Sequence, residues 1–250
     1  MNHDALALQP SRRLVLKIGS LAAGSLLLPL PGSAQTTSAT AKKIGVIGSG
    51  KIGSTVGTLW VKAGRQVLFS SRHPEELKEL VAGLGPSARA GTPEEAIAFG
   101  DAILLAVPYK AYPQVGKDYA KALAGKVVLD AGNATVARDG QELVDETKQN
   151  GLGKTTAKYF PGARIVRAFN TLGYTVLARN AHKDGGLQAI PIAGDDKDAL
   201  GVASKLVRDA GFEPVVVGGL DRANDFAMGA RGYGQQVTAA ELKKTLGLAE

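Results

Sequence analysis

Three glycines, and further along a serine followed by an arginine, are the residues of this chain best suited to holding an anionic ligand. The glycines stand in Gly48-Ser49-Gly50-Lys51-Ile52-Gly53, directly after the apolar run Lys43-Ile44-Gly45-Val46-Ile47. A second apolar run, Gln66-Val67-Leu68-Phe69-Ser70, closes on Ser71-Arg72-His73. A strand, a glycine-rich turn opening a helix, and a second strand compose a dinucleotide-binding βαβ unit. Gly48 then permits the tight turn, Gly50 lets the backbone approach a pyrophosphate, and Gly53 lets the helix pack closely on the strand. The helix start, over Ser49, Gly50, Lys51 and Ile52, offers N–H groups and a partial positive charge to the phosphates.

The end of the second strand selects the nucleotide. An NAD site usually carries Asp or Glu there to accept from the ribose hydroxyls. Here Arg72 can pair with a 2′-phosphate and Ser71 can donate to it, so the residues predict NADP(H), with His73 beside them.

In open α/β sheets, ligands sit beyond the carboxyl ends of the strands. Those ends read Ala106-Val107-Pro108-Tyr109, Asp130-Ala131-Gly132-Asn133 and Ala168-Phe169-Asn170-Thr171. Pro108 lacks an N–H and stiffens a loop expected under the cofactor. Asn133 and Asn170 can each donate and accept, as a nicotinamide carboxamide requires, or can simply close turns. Asp130 is expected to point back into the sheet as a structural acceptor. Arg164, Arg167 and Lys110 could face ligand or solvent. Arg231-Gly232-Tyr233 joins a cation to an aromatic ring, and the sequence does not decide between a substrate clamp and a surface turn.

The elements that must position these residues follow from periodicity and capping signals. Strands are predicted at 43–48, 66–71, 102–108, 126–132, 164–170, 189–193 and 213–217. Helices are predicted at 51–62, 74–82, 93–99, 112–123, 141–150, 197–210 and 239–246, with Thr92-Pro93-Glu94-Glu95 and Asp195-Asp196-Lys197 as helix starts. Short, nearly all-apolar strands alternating with helices predict a Rossmann-type α/β fold: a mainly parallel sheet with helices on both faces, plus a small C-terminal α/β extension.

Composition narrows the function classes. The chain has 250 residues, 44% hydrophobic and 21% charged, as in ordinary globular proteins. Its net charge of +7 is spread along the chain without a basic stripe interleaved with aromatics, so nucleic acid is not expected as a partner. With no cysteine and only His3, His73 and His182, disulfides are excluded and a metal site is not expected. Ser11-Arg12-Arg13-Leu14-Val15-Leu16-Lys17, an apolar run from Ile18 to Pro31, and Gly32-Ser33-Ala34 resemble a twin-arginine export signal over residues 1–34. A linker at 35–42 and a nucleotide-binding domain at 43–250 would follow. Twin-arginine machinery would then be a transient partner and the periplasm the destination.

The phrases Phe69-Ser70-Ser71-Arg72-His73-Pro74, Val127-Val128-Leu129-Asp130-Ala131-Gly132-Asn133 and Arg167-Ala168-Phe169-Asn170-Thr171, with the glycine turn, resemble NADP oxidoreductases dependent on coenzyme F-420. The likeness is closer to their bacterial relatives, the predicted dinucleotide-binding enzymes, and extends to the STEAP reductase domain. It covers about Lys43 to Leu248. The resemblance implies that Ser71 and Arg72 hold the 2′-phosphate, and that the loops at Ala106, Val107, Pro108 and at Asn133 line the nicotinamide. It also implies that a flavin or deazaflavin (coenzyme F-420-like) ring stacks there as second substrate, and that the chain forms a homodimer. Gly132-Asn133-Ala134 departs from the commoner Thr-Asn-Pro, and an export signal is atypical.

Hydride transfer between two such rings needs no protein nucleophile, so no catalytic side chain is assigned. Two rivals stand beside it. A carbonyl or imine reductase would use Tyr109 or Lys110 as proton donor. A non-catalytic NADP(H)-binding redox sensor would need none.

Overall fold

The computed structural model describes residues 42–249. The expected export signal and nearly all of the linker lie outside the described residues. No helix among the described residues is long and apolar enough to cross a membrane.

The first half builds β1 (Lys43–Ile47), α1 (Lys51–Lys62), β2 (Gln66–Ser70), α2 (Lys78–Leu84), β3 (Ala88–Gly91), α3 (Pro93–Phe99), β4 (Ala102–Leu105), α4 (Tyr112–Leu123) and β5 (Val127–Asp130). There follow α5 (Val136–Asp139), α6 (Gln141–Asn150), α7 (Leu152–Tyr159), β6 (Arg164–Arg167), α8 (Tyr174–Asn180), β7 (Ala189–Gly194), α9 (Lys197–Asp209), β8 (Glu213–Gly218) and α10 (Ala239–Leu246). All eight strands form one sheet in the order β3-β2-β1-β4-β5-β6-β7-β8. The order reverses between β1 and β4, which opens a crevice above their carboxyl ends. The expected Rossmann-type α/β fold is the fold observed.

Burial explains the strands. β4 and β5 are buried along their whole length, as strands covered on both faces must be. One core layer joins Val46, Phe69 and Leu104 to Trp60 of α1 and Leu206 of α9, and the other joins Ile47, Ile103 and Leu105 to Tyr112 and Phe160. The two capping signals act as read. Glu95 N donates to Thr92 Oγ1 at 3.2 Å, and Ala199 N donates to Asp196 Oδ1 at 2.9 Å.

The sheet is mainly parallel, as expected, while several element bounds need correction. β7 runs antiparallel to β6, while the remaining neighbours are parallel. After β6 the chain turns at Phe169, packs α8 against α1 and enters β7 in the opposite direction. β3, α5, α7 and α8 were not expected. Ala88-Arg89-Ala90-Gly91 carries no β-branched residue and is a strand because it pairs with β2. The predicted helix at 74–82 is a 3₁₀ turn over Pro74–Leu77 followed by α2. β4, β5 and β6 end short of Pro108, Gly132 and Asn170, because the chain splays there after single further bonds, such as Ala106 N to Ile47 O at 2.9 Å.

Candidate nucleotide site

The glycine turn has the geometry its sequence demands. Gly48 has φ +95°, and a Cβ on it would stand 2.6 Å from Val107 Cγ1. A Cβ on Gly53 would stand 2.1 Å from the Gly48 carbonyl oxygen, so helix and turn touch backbone to backbone. A Cβ on Gly50 would meet nothing within 4 Å. The space over Gly50 is therefore open at the helix start, where a ligand can reach the backbone. Gly50 is the N-cap of α1 with no side-chain cap, and the first turn holds no acidic residue. Its orphan N–H groups and positive dipole end meet no acidic side chain in the first turn of the helix. Lys51 is exposed and lies over the Tyr174 ring, 5.1 Å from its centroid. Ser49 N donates to Ser70 O at 3.0 Å, so that amide is already used, while its Oγ is buried without a hydrogen-bond partner among the described residues.

β2 stops at Ser70, whose hydroxyl donates to Val46 O at 2.7 Å and ties the two strand ends together. Beyond it, His73 N donates to Ser71 Oγ at 3.1 Å, a tight turn that leaves Arg72 exposed. Among the described residues the Arg72 guanidinium has no ion-pair partner, whereas His73 lies 3.4 Å from Glu75. A cation without a carboxylate, beside a hydroxyl, is the donor set a 2′-phosphate requires.

The strand ends enclose a cleft of about 390 Å³. Gly50, Lys51 and Ile52 line it from α1, Ala106, Val107 and Pro108 from the loop after β4, and Asn133 and Asn170 from the loops after β5 and β6. Gly48, Ser49 and Gly53 shape the turn, and Ser71, Arg72 and His73 stand past β2; none of these six lines the cleft.

Asn133 and Asn170 lock into each other. Asn133 Nδ2 donates to Asn170 O at 2.7 Å, and Asn170 Nδ2 approaches Asn133 Oδ1 at 3.3 Å and Phe226 O at 3.3 Å. This leaves Asn170 Oδ1 buried without a hydrogen-bond partner among the described residues. The two amides are thus satisfied to different degrees. Asn133 is the strut, and Asn170 keeps the open acceptor. Beneath them Asp130 is fully buried, accepts from Tyr112 Oη at 2.6 Å and Gly132 N at 2.9 Å, and pairs with Arg167 at 2.6 Å. Asp130 is structural, as expected, and Arg167 faces the core. Burial, then the Asp130 carboxylate, push the Tyr112 phenol well above its ordinary range.

The cleft also holds residues the sequence did not single out. Asp139 accepts from Lys110 N at 3.0 Å and Thr135 N at 2.8 Å, and pairs with Arg138 at 2.9 Å. Burial opposes ionisation of Asp139, but the bonds from Arg138 and the two amides outweigh it and hold its carboxyl below the usual range. That pinned loop sets Thr135 and Arg138 in the wall. Leu172, Gly173, Met228 and Tyr233 complete it. Of the Arg231-Gly232-Tyr233 triplet, Tyr233 lines the cleft, while Arg231 donates to Leu246 O at 3.0 Å. Phe169, also in the wall, has φ +60° with a fully buried ring against Trp60 and Phe212. A bulky residue in that region stores about 1–3 kcal/mol, held here by the packing of the ring.

Tyr109 points away from the cleft. Its hydroxyl lies 3.2 Å from Thr156 Oγ1, the ring stacks on Tyr112, and burial raises its pKa far above the ordinary phenol value. Lys110 is exposed and outside the lining.

Residues 43–134 match the family described as NADP oxidoreductase, coenzyme F420-dependent. Over that segment the chain is similar to this family. It is 32% identical over 200 residues to the rat (Rattus norvegicus) metalloreductase STEAP3, covering 80% of this chain and 38% of the rat protein. The chain therefore spans well under half of that relative. A hypothetical protein from Sinorhizobium meliloti superimposes with a TM-score of 0.70 at 26% identity, over 79% of this chain and 95% of that one. A protein from Arthrobacter sp. FB24, described as an F420-dependent NADP reductase, shares the fold with a TM-score of 0.62 at 20% identity, over 73% and 87% of the two chains.

Proposed function

We propose that the protein is an NADP(H)-dependent oxidoreductase that passes hydride between NADP(H) and a flavin or deazaflavin ring. One observation carries this reading. An uncapped, acid-free helix start opens on the switch-point cleft, and past the neighbouring strand Arg72 has no ion-pair partner among the described residues. When bound, the nicotinamide supplies or takes up the hydride. The protein's own residues bind and orient. The α1 backbone and Lys51 face the diphosphate, Ser71 and Arg72 take the 2′-phosphate, and Asn170 Oδ1 offers an acceptor to a carboxamide.

A second cavity of about 350 Å³ shares Asn133 and Met228 with the cleft and has Ala134, Val144, Leu152 and Ala227 in its wall. With Thr147, Lys148 and Asn224 also in its wall, this recess of mixed polarity adjoins the strand-end cleft and is the seat we assign to the acceptor ring. The carbonyl or imine reductase reading loses Tyr109 and Lys110 as proton donors and would have to use another group, such as Tyr233. Export to the periplasm through the twin-arginine machinery and pairing into a homodimer belong to the same proposal and rest on sequence and resemblance.

The test is calorimetric titration with NADPH and NADH, followed by anaerobic turnover with FMN, FAD, a deazaflavin, ferric chelates and small carbonyl compounds. Tight NADPH binding with flavin- or deazaflavin-dependent NADPH oxidation is expected. Turnover with a carbonyl compound alone would favour the rival reductase, and binding without turnover on any acceptor would favour the sensor.

A further inference from the structure

The fully buried Arg167–Asp130 pair does no work in the reading above, yet it lies directly under the two amides that face the cleft. Removing two charges from water is costly, and a buried pair repays that cost only with complete hydrogen bonding. Arg167 Nε has no hydrogen-bond partner among the described residues, so the pair is a poor device for stability alone. Its geometry has a directional consequence instead. Nη1 of Arg167 reaches Asp130 at 2.6 Å, and Nη2 reaches up to Asn133 Oδ1 at 3.4 Å. A cation on that side fixes which end of the Asn133 amide is oxygen. With Oδ1 turned toward Arg167, Nδ2 is turned toward Asn170 O at 2.7 Å. Asn133 Oδ1 is then the atom facing Asn170 Nδ2, and Asn170 Oδ1 is the one left over.

We infer that Arg167, anchored by Asp130, is a positioning residue whose orientation of Asn133 makes Asn170 Oδ1 the acceptor for the carboxamide of a bound nicotinamide. Arg167 touches no ligand. It acts through the amide pair, on one end of the nucleotide only. The adenosine end is held by α1 and by the residues past β2, away from Arg167. This inference rests on the NADP(H) reading, and its test separates the two.

Full-length protein is titrated by calorimetry with NADPH and with 2′-phospho-ADP-ribose, which lacks the nicotinamide, and the fluorescence of bound NADPH is recorded. Arg167→Met alone would leave Asp130 unpaired and risks misfolding, so the principal variant is Asp130→Asn with Arg167→Met. It leaves no buried charge, and the asparagine oxygen can still accept from Tyr112 and Gly132. A companion, Arg167→Lys, keeps the pair but lacks the second branch of the fork. Both variants should bind 2′-phospho-ADP-ribose within about twofold of wild type and NADPH about fivefold more weakly, the loss expected for one hydrogen bond. The emission of bound NADPH should shift toward that of the free nucleotide. Equal weakening of both ligands, or unchanged binding of both by a folded variant, would show a merely structural pair and overturn the inference. Failure of the wild type to bind either ligand would defeat the NADP(H) reading and the inference with it.

Discussion

Two glycines of one motif should fail in opposite ways when each gains a single methyl. At Gly53 the new Cβ lies 2.1 Å from the Gly48 carbonyl oxygen and 3.0 Å from Val46 Cγ1. Backbone cannot step aside as a flexible side chain can, so the overlap belongs at the upper end of overpacking costs, about 3 kcal/mol. Alanine's better helix propensity returns about 1 kcal/mol, which leaves Gly53→Ala destabilised by about 2 kcal/mol. At Gly50 the Cβ enters open space, and φ −72°, ψ −162° suits alanine. Lower unfolded-state entropy contributes about 0.4–1 kcal/mol, and alanine's weakness as an N-cap costs a similar amount, so the fold should be nearly unchanged. The methyl would instead stand where a diphosphate approaches. Displacing the ligand costs about 1–3 kcal/mol, or about 5- to 150-fold in Kd. Urea denaturation gives the stabilities, and calorimetry with NADPH gives the affinities. A Gly50→Ala protein that binds NADPH like wild type would refute the placement of the diphosphate. A Gly53→Ala protein as stable as wild type would refute the contact argument.

Arg72→Ala should weaken NADPH binding by about 1–2 kcal/mol, roughly 5- to 30-fold, while leaving NADH nearly unaffected, because only NADPH carries the 2′-phosphate. The gap between the nucleotides should narrow as salt is raised, and parallel titrations at two ionic strengths check both statements. Asp196 is held well below the usual carboxylate range, first by Arg164 and then by the Ala199 amide. A depressed folded-state pKa contributes stability above the unfolded value near 4, which is lost as pH falls below it. Stability of Asp196→Asn should therefore fall less steeply than that of wild type on acidification from about pH 4, with little pH dependence of the difference between pH 5 and 7; urea midpoints across pH 3–7 measure this.

What was legible in the sequence is what local backbone chemistry dictates. Gly48 and Gly53 are readable because a positive φ and a backbone contact admit no other residue, and Thr92 and Asp196 because capping is decided within one turn. The direction of β7 was not legible. Ala189-Ile190-Pro191-Ile192-Ala193 is apolar throughout, and such a run suits a buried strand of either sense. β3 escaped for the converse reason, since its pairing with β2 supplies what its composition does not.

The same division explains why the glycine turn and Arg72 could be placed from sequence and the opposite wall of the cleft could not. The turn, the α1 start and Arg72 lie within one βαβ unit, so their spacing in sequence is their spacing in space. The opposite wall joins Thr135 and Arg138 to Met228 and Tyr233, segments far apart in the chain whose meeting depends on how the strands after β5 are laid down. Even Asn133 and Asn170, each at a readable strand end, have roles set by a third residue. Arg167 is the last residue of β6, and nothing local says that it faces inward. Burial decides that, through Asp130 on the adjoining strand. A cation enclosed under two amides turns them from interchangeable turn residues into a strut and an acceptor.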